Sequence, residues 1–243
     1  MLSRSHVAHD HAVITPGVHQ KRPLPGWTKS SAVALIGPPM GSEFAEYLVS
    51  MEPEGEGGAP QDDVERTLFV TGGAIEVAWG EETRIVEAGG YIYLPAGLEH
   101  AITARDQTNL LLIEKPYLDG PEGDEPAVVV GVEGGVEAEA FGDGGTIRSL
   151  LPLDPAFDLN LSLCELEPGA SPQQMESRLS EKGITFLDGR VIARVGTEWY
   201  PLSTGDTLWI APFIPHWFCA IGRRPARFLV FTDENRDPLA GEE

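Results

Sequence analysis

Cysteine is nearly absent from this chain of 243 residues: Cys164 and Cys219 are the only two. That rules out a disulfide-dense scaffold, and with no Cys-x-x-Cys pair it argues against a thiolate zinc site. One bridge between the two stays open as an alternative to a pair of free thiols. Positive charge is also scarce. Seventeen lysines and arginines stand against 38 aspartates and glutamates, for a net charge of −21. Such a chain is repelled by nucleic acid and by anionic membranes, and the charge reads as a solvated acidic surface. No apolar run approaches the roughly 18 residues of a membrane span, and residues 1–29 contain no apolar signal-like core. The expected partner is a small molecule and the expected location the cytoplasm. Convincing amphipathic helices are missing as well.

What the chain does have is a hydrophobic content of 42%, 28 glycines and 20 prolines. That combination predicts a real core built from short strands and many turns. β-branched and aromatic runs, separated by Gly, Pro, Asp and Asn, recur from Ala32 to Glu114 and again from Thr146 to Thr232. Gly72-Gly73 and Asp188-Gly189 are tight-turn dipeptides. The amino-terminal leader holds His6, His9, His11 and His19. Its His9-x-His11 pair reads as a peripheral or mobile segment rather than a metal site.

The two halves repeat. Glu65 through Gly72 aligns with Lys182 through Gly189, 117 positions on, and Gly89 through His100 aligns with Gly205 through His216, 116 positions on. A repeat this long means a duplicated domain. The expected division is an amino-terminal barrel with its arm over residues 1–125, a linker over 126–145 and a carboxy-terminal barrel over 146–243.

Gly89, Pro95, Gly97 and His100 complete the pattern G-x5-P-x-G-x2-H, and Glu65 and Gly72 fit the end of a preceding motif. In this the chain resembles the cupin superfamily, which implies an all-β fold of two jelly-roll barrels, a bicupin. The two histidines of the first cupin motif are missing near Ala59 and Gln61. Alternate residues on a barrel strand point inward, so the first barrel offers Gln61, Glu65 and His100 as a candidate pocket. One carboxylate, one imidazole and one amide make a poor metal shell. The second barrel offers Glu176, Arg178, Lys182 and His216. Parity points Glu181 out of that barrel.

Longer stretches, among them His11–Pro16, Pro23–Trp27, Pro39–Phe44, Gly90–Pro95, Glu198–Pro201, Ala211–Pro215 and the tail Asn235–Leu239, make the chain similar to the (S)-ureidoglycine aminohydrolase family. That resemblance implies a homo-oligomer, a manganese ion in the carboxy-terminal barrel and hydrolytic release of ammonia from ureidoglycine. The family's ligand pattern, E-x-H-x3-H with a later glutamine, falls on Glu176, Arg178, Lys182 and His216. A substrate-contacting tyrosine and lysine fall on Phe228 and Thr232. Glu176 and His216 are thus the expected catalytic and metal-binding residues, and Arg178, Lys182, Phe228 and Thr232 the expected substrate contacts. Two cations in place of two histidines make a metal-free site the alternative, with Arg178 and Lys182 gripping a small organic anion. The aromatics Trp199, Tyr200, Trp209, Trp217 and Phe218 read as packing, with Trp217 a candidate for ligand stacking.

Overall fold

The computed structural model describes residues 4–120 and 125–234, so the tail Asn235–Leu239 lies outside the described residues. Antiparallel strands dominate, and among the described residues the helical elements are three short 3-10 turns. The chain divides into two compact units. One comprises His19–Pro38 and Glu43–Gly135, the other the described residues of Met1–Val18, Pro39–Ser42 and Val136–Glu243. Each unit combines a large sheet with a small one, six strands with four in the first and eight with three in the second.

Period-two patterning explains why these segments are strands. In the first unit Leu68 and Val70, Ile92 and Leu94, and Leu110 and Leu112 enter one apolar cluster from three adjacent strands. In the second, Ile184 and Phe186, Leu208 and Ile210, and Phe228 do the same. Burying each such side chain contributes about 2 kcal/mol relative to exposure. Turn chemistry repeats too. Gly73 has φ of 77° and Gly189 has φ of 85°. A Cβ at Gly73 would lie 2.5 Å from Gln107 O, and one at Gly189 would lie 2.6 Å from the Ala226 Cα. Both turns therefore require glycine for conformation and for space.

Register corrects the sequence alignment of the first strand. Val64–Gly72 pairs with Gly90–Leu94 by placing Arg66 opposite Leu94, and Glu181–Asp188 pairs with Thr207–Ile210 by placing Lys182 opposite Ile210. Arg66, not Glu65, is thus the counterpart of Lys182, and Glu65 is the counterpart of Glu181. Because side chains alternate faces, a slip of one residue moves every group to the other side of the sheet. Glu65 accordingly turns away from the interior. It is fully buried, accepts a hydrogen bond from the Tyr93 hydroxyl and lies 4.0 Å from the Lys115 ammonium. Glu181 takes the same position in the second unit and accepts the indole N–H of Trp209.

The amino-terminal arm, expected to belong with the first barrel, is built into the second unit. His11–Ile14 pairs with Thr207–Ile210 and covers an edge that would otherwise expose unpaired backbone groups. His11 is therefore a buried strand residue, 6% exposed, rather than part of a mobile leader. Its ring lies between Asp10, 2.8 Å from Nδ1, and the Tyr200 hydroxyl, 2.7 Å from Nε2. Arg4 anchors the same arm with two 2.9 Å hydrogen bonds to the buried Asp206 carboxylate. The expected linker is structured as well. Val129–Val132 pairs with Gly90–Leu94 in the first unit, whereas Glu139–Ala140 and Asp143–Ser149 belong to a sheet of the second. Both cysteines are free thiols, Cys164 buried and Cys219 partly so.

Candidate functional site

Three polar side chains from separate segments of the second unit meet at one end of a cavity of about 100 Å³. Glu181–Asp188 contributes Lys182 two residues before the core position Ile184, so its side chain shares the interior face. His216 opens the strand His216–Ala220, and Glu176 forms an isolated antiparallel bridge with it through paired backbone hydrogen bonds of 2.9 and 2.8 Å. The bridge places their side chains together. Lys182 Nζ donates to Glu176 Oε2 at 2.6 Å and lies 3.2 Å from His216 Nε2, while Glu176 Oε2 and His216 Nε2 are 3.6 Å apart.

The hydrogen bonding fixes the imidazole tautomer. His216 Nδ1 lies 2.9 Å from the Ile214 carbonyl, which can only accept, so Nδ1 carries the proton. Nε2 then presents its lone pair to the Lys182 ammonium. With its Nε2 bare, the imidazole cannot donate to Glu176, so the Lys182 ammonium, donating at 2.6 Å, is what holds the Glu176 carboxyl below the usual carboxylate range, against the opposing effect of its burial. Apolar walls, among them Ile147, Ile184, Phe218 and Phe228, enclose this polar end. Ser162, Gln174 and Thr232 add neutral hydrogen-bonding groups. Cys164 also lines the cavity, and burial pushes its thiol up to about 12.

Phe228 and Thr232 line this cavity. Arg178 does not join them. It is exposed, and it borders an outer depression whose lining shares Phe141, Pro172, Gln174 and Glu176 with the cavity. Its carbonyl accepts the amide N–H of Phe213, and the Phe213 carbonyl accepts the Ser177 hydroxyl at 2.8 Å. Those bonds hold Phe213 at φ of 64°, a left-handed conformation unusual for a residue with a side chain. Trp217 is absent from the cavity lining. Its indole donates to the Pro172 carbonyl at 3.0 Å, and its ring meets Trp199 edge-on.

The first unit contains the counterpart of this cluster but not the expected one. Gln61 is exposed and Glu65 faces away, so neither joins His100. The partner of His100 is Arg66, whose Nη1 lies 3.2 Å from His100 Nε2, while His100 Nδ1 donates to Leu98 O at 2.7 Å. Burial, reinforced by the Arg66 charge, keeps His100 below the ordinary histidine range. Arg66 also donates to Glu114 at 2.7 Å and to the Gly58 carbonyl, and its guanidinium lies 5.7 Å from the centre of the Trp27 ring. At 2% exposure this cation is spent on internal contacts. The sequence alignment of the preceding strand, taken at 117 positions, missed Arg66; the 116-residue offset of Gly89–His100 from Gly205–His216, extended to that strand, points to it.

The manganese implied by the resemblance does not fit these residues. Among the described residues no group of three or more His, Cys, Asp or Glu side chains is placed to hold a metal ion. Glu176 and His216 supply two donors, and an ammonium lies between them. Two donors and a cation do not make a first shell for a divalent ion.

Comparison with known proteins agrees with the architecture. Residues 47–114 and 162–232 both match the Cupin domain. Over 98% of its length the chain is 36% identical to a protein of Oryza sativa subsp. japonica named probable (S)-ureidoglycine aminohydrolase, covering 77% of that protein. It is 33% identical to the (S)-ureidoglycine aminohydrolase of Arabidopsis thaliana, covering 98% of this chain and 80% of that one. Among solved structures it is similar to the E. coli protein YlbA, with a TM-score of 0.86 and 25% identity over 97% of this chain and 96% of that one. Matches of this kind over 98% of the chain, together with two cupin barrels and the motif residues around His100 and His216, establish that the chain belongs to the (S)-ureidoglycine aminohydrolase family of bicupins.

Proposed function

We propose that the carboxy-terminal barrel receives a small carboxylate of the ureidoglycine class and that the chain releases ammonia from it by hydrolysis. The observation that carries this reading is the cavity of the second barrel, with Glu176, Lys182 and His216 at its polar end and apolar side chains lining the rest. The family relationship supplies the ligand class. Hydrolytic loss of ammonia needs a proton delivered to the departing amine and a water positioned to add to the same carbon. Lys182 carries the proton that faces the cavity, His216 Nε2 is placed to exchange it, and Glu176, held ionised, fixes the ammonium in place. Phe228 and Thr232 shape the wall against which the ligand lies. The homo-oligomer implied by the resemblance belongs to the same reading, and light scattering of the purified chain tests it.

A second reading, binding without turnover, is favoured by one observation. Lys182 is already bonded to both Glu176 and His216, so no strong base in the cavity is free. Freshly prepared ureidoglycine separates the two. Enzyme-dependent ammonia release that disappears in Glu176→Ala supports hydrolysis. Thermal stabilisation by the ligand with no ammonia above the spontaneous rate means binding alone. Neither response, with or without added manganese, would eliminate both.

A further inference from the structure

We infer that Lys182 is the resident cation of the second barrel, occupying the place of a metal ion and offering its charge to the ligand carboxylate. The inference rests on reading the cavity as a carboxylate site. Its first support is geometric. Glu176 Oε2 and His216 Nε2 face one another 3.6 Å apart, and Lys182 Nζ lies 2.6 Å from one and 3.2 Å from the other. Both donors direct lone pairs at the ammonium, because His216 Nδ1 is committed to the Ile214 carbonyl. A divalent ion using those two donors would have to occupy the space that the ammonium fills.

The second support is repetition. Arg66 holds the equivalent strand position in the first barrel and caps His100 Nε2 at the same 3.2 Å, with His100 Nδ1 committed to Leu98 O. A guanidinium does not lose its proton in proteins. The same construction, a fixed cation on an imidazole lone pair, thus occurs in both halves. The two copies differ in what remains free. Arg66 is consumed by Glu114, Gly58 and Trp27. Lys182 lines a cavity. An ammonium carries three N–H groups. Glu176 and His216 take two, which leaves the third for a carboxylate oxygen. Thr232 sits directly opposite Lys182 in the strand register and lines the same cavity, so it offers its hydroxyl to that carboxylate.

The test measures metal and ligand separately on the full chain. Wild type and Lys182→His are incubated with manganese, freed of loosely held ions by gel filtration and analysed for bound metal. Lys182→His, with three donors converging, should retain about one ion per chain and wild type almost none. Equal retention by both, or by neither, would overturn the inference, since Lys182 would not then be what fills the ion's place. In parallel, the stable ureido carboxylate N-carbamoylglycine is titrated calorimetrically in the presence of a chelator. Wild type should bind it, and Lys182→Gln should bind about tenfold or more weakly. Binding that collapses on chelation, or that is unchanged in Lys182→Gln, counts against the inference. Failure of wild type to bind any carboxylate would sink the reading of the cavity instead, while the metal comparison would still decide what Lys182 replaces. The calorimetric arm with Lys182→Gln also covers the case in which Lys182→His fails to fold.

Discussion

Arg66 and Lys182 occupy the same register position in the two barrels, and each lies 3.2 Å from the Nε2 of a histidine whose Nδ1 is tied to a backbone carbonyl. Their surroundings give the two cations different duties. Arg66 is sealed inside an ion and cation–π cluster, whereas Lys182 faces a cavity. The consequences can be measured one residue at a time.

Removing the sealed cation should be costly. Arg66→Ala leaves the Gly58 carbonyl and the His100 lone pair without a donor and Glu114 without its partner. A loss of about 3–5 kcal/mol is expected for breaking a buried pair on one side. Denaturant unfolding of the variant checks it, and a change below about 1 kcal/mol would contradict the sealed-cluster account.

Lys182→Met should cost less, about 2 kcal/mol, because only Glu176 and His216 lose a donor, whereas Arg66→Ala also strands a backbone carbonyl. Ligand binding should fall in Lys182→Met and stay unchanged in Arg66→Lys. Equal effects on binding from both variants would mean that the cavity is not the ligand site.

The buried thiol predicts an alkaline signature. Cys164 is raised from its ordinary 9.0 to about 12, mainly by burial and slightly by Glu176, with Lys182 opposing. Since the folded value is the higher one, its contribution to stability is fully present below pH 9 and is lost as pH rises from 9 toward about 12. The unfolding free energy of Cys164→Ala should therefore fall less steeply than wild type over that interval. Thiol labelling at neutral pH should modify Cys219 quickly and Cys164 only on unfolding.

Phe213 tests whether the rim loop stores strain. Its φ of 64° suits glycine, tolerates phenylalanine poorly and disfavours a β-branched side chain most. Phe213→Val should lose about 1–2 kcal/mol, while Phe213→Gly should be neutral or stabilising by a few tenths. Thermal melting of the pair gives the ranking, and a Val variant as stable as the Gly variant would show that the loop relaxes instead.

Much of this protein is determined by its sequence alone. The internal repeat, the strand-and-turn rhythm and the Gly–Pro–Gly–His spacing specify two cupin barrels, because each is a local pattern that survives without knowledge of neighbours. Glu176, Lys182 and His216 were legible as a group because matched motif positions carry inward side chains with them, whereas Phe228 and Thr232 came only from the family resemblance. What needed the tertiary structure was register and partnership. Glu65 and Arg66 are adjacent, and only the pairing of Arg66 with Leu94 decides which of them faces inward, since the side-chain period of a strand is two. Arg178 matches a motif position yet lies on the rim, because the segment before Glu181 follows a bridge and loop rather than a continuous strand. The arm joined the second unit because Thr207–Ile210 presents an edge to it, a pairing across nearly 200 residues of chain that no local pattern encodes.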